Sequence, residues 1–520
     1  METAGEDGVR SRKQSFPLPQ IRTKKEPDGD EDVVGAPSSM VEEDEQPLSP
    51  AARLFHSPNI NCYIIAVMGC KTKFDAEVIK VGLEMTLVKH PRFSSLMVVE
   101  GERSKKMKWV RTKVNVEDHI IIPDLNPNID SPDQFLEDYL WEITKTPLEL
   151  SKPLWEFHIL NLKTSDAEAV GIFRVHHSMG DGSSLVSLLL ACTRKASDPT
   201  SLPTVPNKKR AVSETGAGFW SVFLAIWSVI RLIWNTAVDM LLYGATVMIL
   251  KDSETPIKGT PTQELNTRRF VHRTVSLEDV KLVKNAMNAT INDVVLGVTQ
   301  AGLSQYLDRR YGEKSNEKRP KERKSHVPKN LRVRSTVLVN LRPSAGIQAL
   351  ADMMEKESKT RWGNWIGYII LPFTIGLRDN PVDYIREAKA AIDRKKQSLE
   401  AVCAYYLAQL FVRVFGVKIS ACLTHRILSN ATLSFSNVVG PVEEISFFGH
   451  KMAYLAPSVY GHPQALTVHY QSYMDKITIS VAVDPKAIPD PYRLLDDLEH
   501  SLKLIKEAVL KMEKVANGSL

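Results

Sequence analysis

Sixteen residues constrain this chain more than any others: Val170-Gly-Ile-Phe-Arg-Val-His-His-Ser-Met-Gly-Asp-Gly-Ser-Ser-Leu185. Val170 to Val175 is a short, largely apolar run and reads as a buried strand. His176 and His177 follow it. A turn with Gly180 and Gly182 comes next, then the apolar run from Leu185 to Leu190 that reads as a helix. α/β folds place their chemistry where a strand meets a helix, because a rigid strand aims a loop side chain into a crevice. A lone histidine here would read as a core residue. Two histidines separated by three residues from Asp181-Gly182 form a far more restrictive pattern.

The rest of the chain supplies a large α/β scaffold for that stretch. Its 520 residues exceed one ordinary core and imply two to three domains. Residues 1–46 are acidic, Pro-rich and poor in apolar side chains, so they read as a disordered tail. Residues 1–50 carry 12 acidic and 6 basic groups, a charge of −6; the whole chain is +6, which leaves +12 for the body. A basic body suits anionic partners such as phosphate groups or a lipid surface. It would also suit nucleic acid, but no helix-turn-helix, zinc-finger or aromatic RNA-binding signature accompanies it. Five cysteines at irregular spacing in mostly apolar surroundings read as reduced thiols, not as a disulfide framework or a metal site. The N-terminus has no apolar signal core, so no secretion is expected.

The pattern divides the chain into a first lobe at 47–212, an apolar insert at 213–255 and a second lobe at 256–520. Strands are expected at Asn61–Met68, Leu154–Leu160, Arg268–Val275, Val337–Leu341, Trp365–Leu371, Thr432–Val439, Leu466–Gln471 and Ile477–Val483. Ser131–Thr146, Asn292–Leu307, Asp383–Leu399, much of Ala401–Leu428 and Pro491–Lys514 read as helices. The basic run Arg309–Arg334 reads as a solvated loop. Between Ala217 and Leu250 only Arg231 and Asp239 are charged. On a helix, Ser221, Ser228, Arg231, Asn235 and Asp239 make one polar stripe, flanked by Trp220, Trp227 and Trp234. That arrangement predicts a helix lying in a membrane interface, where indoles settle. A helix buried against the body is the alternative, and a membrane span is the third reading.

His176-His177-Ser178-Met179-Gly180-Asp181-Gly182 resembles the HHxxxDG motif of CoA-dependent acyltransferases. From Pro47 onward the chain resembles the plant-type bifunctional wax ester synthase/diacylglycerol acyltransferases. Pro47-Leu-Ser-Pro50 with Arg53-Leu-Phe55, His90-Pro-Arg-Phe93, Pro153-Leu-Trp155, Asn292-Asp293, Asn340-Leu-Arg-Pro343, Gly363-Asn364 and Asn437-Val-Val-Gly-Pro441 carry the resemblance. It covers about nine tenths of the chain in the family's order.

The resemblance implies two chloramphenicol-acetyltransferase-like lobes, each a mixed sheet flanked by helices, with a substrate channel between them. It implies an enzyme that esterifies long-chain alcohols or diacylglycerol. Acyl-CoA is then a co-substrate, and neither a bound cofactor nor a metal is expected. The expected location is the cytosolic face of the endoplasmic reticulum membrane, or the cell membrane. An alcohol needs a base near neutrality to take its proton as the ester bond forms, which suits histidine. The resemblance gives that role to His177 and leaves His176 as a support. Asp181 could orient His177; the resemblance implies instead a salt bridge that holds the loop, with Arg174 or Arg342 as partner. Gly180 and Gly182 would permit turn dihedrals closed to other residues. Asn292 and the Asn340/Arg342 pair are candidate donors to a thioester oxygen, ahead of Asn364 and Asn437. Asn292 equally reads as a helix cap within Thr290-Ile-Asn-Asp293, a capping sequence that opens the Asn292–Leu307 helix. Two other readings remain open: a soluble plant acyltransferase for specialised metabolites, and a silent lipid-binding scaffold.

Overall fold

A computed structural model describes residues 45–101, 106–126, 128–206, 219–259, 267–315, 325–342 and 362–516. Residues 1–44 of the acidic tail, residues 207–218 before the apolar helix and the centre of the basic run lie outside them. In chain order the strands of the first half are β1 (Glu45–Pro47), β2 (Tyr63–Cys70), β3 (Ser95–Glu100), β4 (Lys106–Arg111), β5 (Ile120–Ile121), β6 (Trp155–Leu160), β7 (Ala169–His176) and β8 (Thr193–Lys195). The second half adds β9 (Arg269–Ser276), β10 (Val333–Asn340), β11 (Ile366–Phe373), β12 (Leu433–Val438), β13 (Ile445–Phe447), β14 (His450–Tyr460), β15 (Leu466–Tyr473) and β16 (Lys476–Val483).

Two large mixed sheets organise the molecule. The first has the order β5-β6-β7-β2-β14-β13-β8, and the second β11-β10-β12-β15-β16-β9. Strands β1, β4 and β3 form a small third sheet. β2 is Tyr-Ile-Ile-Ala-Val-Met-Gly-Cys, apolar at nearly every position because both of its faces are covered. β15 alternates instead: Leu466, Val468 and Tyr470 enter the second core, while Thr467, His469 and Gln471 face the other way. Helix starts follow local chemistry. Thr290 Oγ1 accepts from Asp293 N and Asp293 Oδ2 accepts from Thr290 N, a reciprocal cap that opens the Ile291–Ser315 helix. That helix continues into the start of the basic run that reads as loop.

The lobes are not consecutive along the chain. β14, from the second half, pairs antiparallel with β2 over Met452–Tyr460 and so enters the first sheet. Its other edge meets β13 only at His450 and Lys451. Among the described residues no strand pairs with that edge of β14 at Pro457, where a missing N–H is tolerated.

The apolar insert forms one helix, Phe219–Met248, packed against the Glu400–Asn430 helix. Each is long and apolar enough to cross a membrane. Only the C-terminal end of the polar stripe is buried; Ser228 and Arg231 are exposed. Asn235 Nδ2 donates to Gln397 O at 3.1 Å, and buried Asp239 takes Lys395 at 3.0 Å and Arg394 at 2.8 Å. That end turns inward because the Asp239 carboxylate finds two cations on the second lobe. Trp220, Trp227 and Trp234 are left 73%, 57% and 69% exposed. Tyr406, Leu410, Val414 and Phe415 on the neighbouring helix are exposed as well.

Candidate active site

β7 lies between β6 and β2, so its last residues arrive at a fixed place. His176 N donates to Leu154 O at 3.0 Å and His177 N to Cys62 O at 2.9 Å, which pins the backbone from both neighbouring sides. A short 3-10 turn, His177–Met179, follows, and Asp181 caps the Gly182–Ala191 helix by accepting from Ser184 N at 2.9 Å.

The two histidines have different surroundings. The His176 ring is saturated: Nδ1 meets Ser178 Oγ at 2.7 Å and Nε2 meets Asn61 Oδ1 at 3.1 Å, with the ring stacked on His56 at 4.3 Å. Burial holds its pKa well below the usual histidine value. His177 stacks on Phe55 at 4.3 Å and lines an apolar cavity between the lobes. Its Nδ1 lies 3.2 Å from Asn364 Oδ1. The amide orientation of Asn364 is set by its Nδ2, which donates to His177 O at 2.9 Å. Nδ1 therefore carries the proton, and Nε2 keeps its lone pair. Burial lowers the His177 pKa, partly offset by Asp181 and Asn364.

Four consecutive residues of the second lobe clasp this loop. Trp362 Nε1 donates to Met179 O at 2.7 Å, and Gly363 O accepts from Ser184 Oγ at 3.1 Å. Asn364 holds His177, and Trp365 N donates to Asp181 Oδ2 at 2.9 Å. Gly363 has φ +116, which explains a glycine there.

Asp181 makes its ion pair with Arg342, at 2.7 Å, both side chains buried. Arg174 is occupied elsewhere, by Glu156 and Tyr460, each at 2.7 Å. Arg342 Nη2 also donates to Gly363 O at 2.6 Å, and Asn340 Oδ1 accepts from Arg342 N at 3.1 Å. Several readings change with these contacts. Asp181 does not orient His177; Asn364, ranked low from sequence, does. Arg342 is committed to the joint and not to an oxyanion, although Asn340 lines the cavity. Asn292 is neither a cap nor a cavity residue: Thr290 and Asp293 form the cap, and Asn292 Oδ1 accepts a long 3.5 Å bond from Asn437. Gly180 has φ 172, ordinary extended backbone, and its hydrogen faces Trp362 and Ser184, where a Cβ would come within 3.3 Å. Gly182 begins the helix and has open space where a Cβ would lie, at the cavity wall. Gly440 of the Asn437–Pro441 stretch is required by close approach, since a Cβ there would lie 2.1 Å from Ser472 O.

The cavity wall also includes Ser436, His469 and Gln471, which the motif reading did not single out. Their signal was the polar half of an alternating strand, which also describes any solvent-facing strand.

Two lobes closing on one apolar cavity, with a loop histidine held as a single tautomer at its edge, define the class of two-lobed acyltransferases. Family models of the wax ester synthase/diacylglycerol acyltransferase catalytic domain and of the WS/DGAT C-terminal domain match residues 66–295 and 362–506. The chain belongs to the wax ester synthase/diacylglycerol acyltransferase family. It is 55% identical over 473 residues to wax ester synthase/diacylglycerol acyltransferase 11 of Arabidopsis thaliana, covering 90% of this chain and 96% of that one. It is 53% identical to number 6 of the same plant, over 94% and 98%. Among solved structures, the fold is that of a wax ester synthase/diacylglycerol acyltransferase from Marinobacter aquaeolei VT8, with TM-score 0.56, 17% identity and coverage of 89% and 99%. The starter condensation domain of rhizomide synthetase shares it, with TM-score 0.53, 12% identity and coverage of 90% and 96%.

Proposed function

We propose that this acyltransferase moves a fatty acyl group from CoA to the hydroxyl of a long-chain alcohol or of diacylglycerol, with His177 as general base. The observation that carries the reading is the Asn364–His177 contact, which leaves Nε2 as a proton acceptor at the cavity wall. As the alcohol oxygen bonds to the thioester carbon, its proton passes to Nε2. The C–S bond then breaks, and the proton returns to the CoA thiolate. The ester and free CoA leave, and no covalent acyl-enzyme forms. Asn340, Asn437 and Gln471 on the cavity wall carry the side-chain amides that can serve the developing oxyanion. The acyl chain lies along the first-lobe wall of Ile64, Ala66, Met68 and Phe173.

The helix pair rests on a membrane, its exposed tryptophans at headgroup depth. Free cysteines fit the reducing cytosolic side, here assigned to the endoplasmic reticulum.

One experiment tests both statements. Membranes from yeast that makes no neutral lipid would carry the wild type, His177→Ala or a variant with serine at Trp220, Trp227 and Trp234. Labelled palmitoyl-CoA would be offered with hexadecanol or diacylglycerol. His177→Ala should lose about 10²–10⁴-fold of the rate at equal protein level. The serine variant should shift toward the soluble fraction. Activity retained by His177→Ala overturns the mechanism, and an unshifted serine variant overturns the membrane seat. Wild-type membranes that make neither lipid would point to another acceptor or to a silent scaffold.

A further inference from the structure

The cavity holds a polar group that the reaction at His177 does not use. His469 is buried on β15 and lines the same cavity. Among the described residues, neither of its ring nitrogens has a hydrogen-bond partner. Its register neighbours are Ser436 on β12 and Ser480 on β16. Ser458 on β14 lines the cavity too, and its hydroxyl and that of Ser480 are also buried without partners. Burial pushes the His469 pKa down to about 4, so the ring is neutral near pH 7, with one N–H donor and one acceptor. Buried polar groups are almost always satisfied, and an orphan cluster beside a cavity calls for a ligand that completes it.

A long alkanol cannot do so. Its one polar group, the hydroxyl, has to meet His177. Diacylglycerol brings the reacting hydroxyl and two ester carbonyls as well. We propose that His469, assisted by Ser458, donates a hydrogen bond to an ester carbonyl of diacylglycerol and so biases the cavity toward glyceride acceptors over plain alcohols. A site built to hydrogen-bond one substrate penalises an analogue that leaves its donor unpaired. This inference rests on the acceptors proposed above and makes His469 a specificity residue, separate from the base.

The test is a competition. The purified full chain would receive labelled palmitoyl-CoA and phosphatidylcholine vesicles containing equal dioleoylglycerol and hexadecanol. The readout is the ratio of triacylglycerol to wax ester. His469→Leu should lower that ratio about tenfold, the worth of one hydrogen bond, and His469→Gln should restore part of it. A dialkylglycerol, which has ether oxygens and no carbonyls, should be esterified by the wild type less well than dioleoylglycerol, and should lose nothing further in His469→Leu. Equal losses of both products, or an unchanged ratio, overturn the proposal. If His469→Leu does not fold, the wild-type comparison of dioleoylglycerol with dialkylglycerol decides: no preference for the ester overturns it. A wild type that makes neither lipid would instead sink the reading of the acceptors.

Discussion

The two walls of the cavity are built on opposite plans. The first-lobe wall, with Ile64, Ala66 and Met68 of β2 beside Phe157 and Phe173, is mainly hydrocarbon, Ser183 and Ser458 being its polar side chains besides His177. β2 buries apolar side chains on both of its faces. The second-lobe wall presents Asn340, Ser436, Asn437, His469 and Gln471. Its strands spend their apolar residues on the other side, where Leu433, Phe435, Val468 and Tyr470 join the second core. Two lobes meeting only for stability would have apolar residues on both facing surfaces. Here the second sheet draws its core from its helix-covered face, and its inter-lobe face is free for polar groups. Departures from a consistently apolar pattern concentrate where function is carried.

The walls are joined at Asp181 and Arg342, so the largest effect is expected there. Arg342→Met would leave Asp181 as a buried carboxylate without its cation. The expected loss is about 3–5 kcal/mol of unfolding free energy, read by urea denaturation. Changing both residues, Asp181→Leu with Arg342→Met, should recover more than half of that, because the cost lies in the orphaned charge. A single variant with the wild-type midpoint would show that the lobes are held together by other contacts and that the joint is incidental.

A smaller effect is expected at Asn364, the second-lobe residue that reaches across to the base. Asn364→Leu frees the His177 ring to rotate and change tautomer. It should cost about 10²-fold in kcat/KM with little change in melting temperature. Asn364→Asp is the sharper probe. In the wild type, burial holds the His177 pKa below its usual value, so the base stays neutral as pH falls and activity is lost only on the acid side of about 6.5. A carboxylate beside the ring favours imidazolium and raises that pKa, so activity should be lost at higher pH as the medium is acidified. An unmoved acid limb in Asn364→Asp would mean that another group limits the rate.

Much of this was legible in the sequence because it is local. Strand, turn and helix around His177 follow from consecutive residues, as does the Thr290–Asp293 cap. Burial on both faces made β2 readable as a strand. β14 lacks such a signature: Pro457 argues against a strand locally, and only the long-range ladder with β2 makes it one. The choice between Arg342 and Arg174 as partner of Asp181 depends on long-range packing, and both arginines satisfy the same local rule. Asn364 had a family motif but no local signature of its role. The inward turn of the Asn235–Asp239 stripe was hidden for a related reason: a helix wheel separates a polar side from an apolar one without saying which side meets protein.

The smallest effect sharpens the hydrocarbon wall. Ala66 lines the cavity from the centre of β2, in register with Phe173 on one side and Pro457 on the other. Ala66→Leu adds three carbons that can extend into the cavity without displacing the core. If the acyl chain lies along this wall, the longest chains should suffer first. Use of palmitoyl-CoA should fall about tenfold relative to octanoyl-CoA, the scale on which apolar pockets resolve chain length. Hexadecanol and decanol, compared at fixed acyl-CoA, should keep their wild-type ratio, because the acceptor meets the polar wall. A shift in alcohol preference with acyl preference unchanged would reverse the assignment of the walls. A shift in both would mean that the two chains share the hydrocarbon side, leaving the polar face to the headgroup of the acceptor alone.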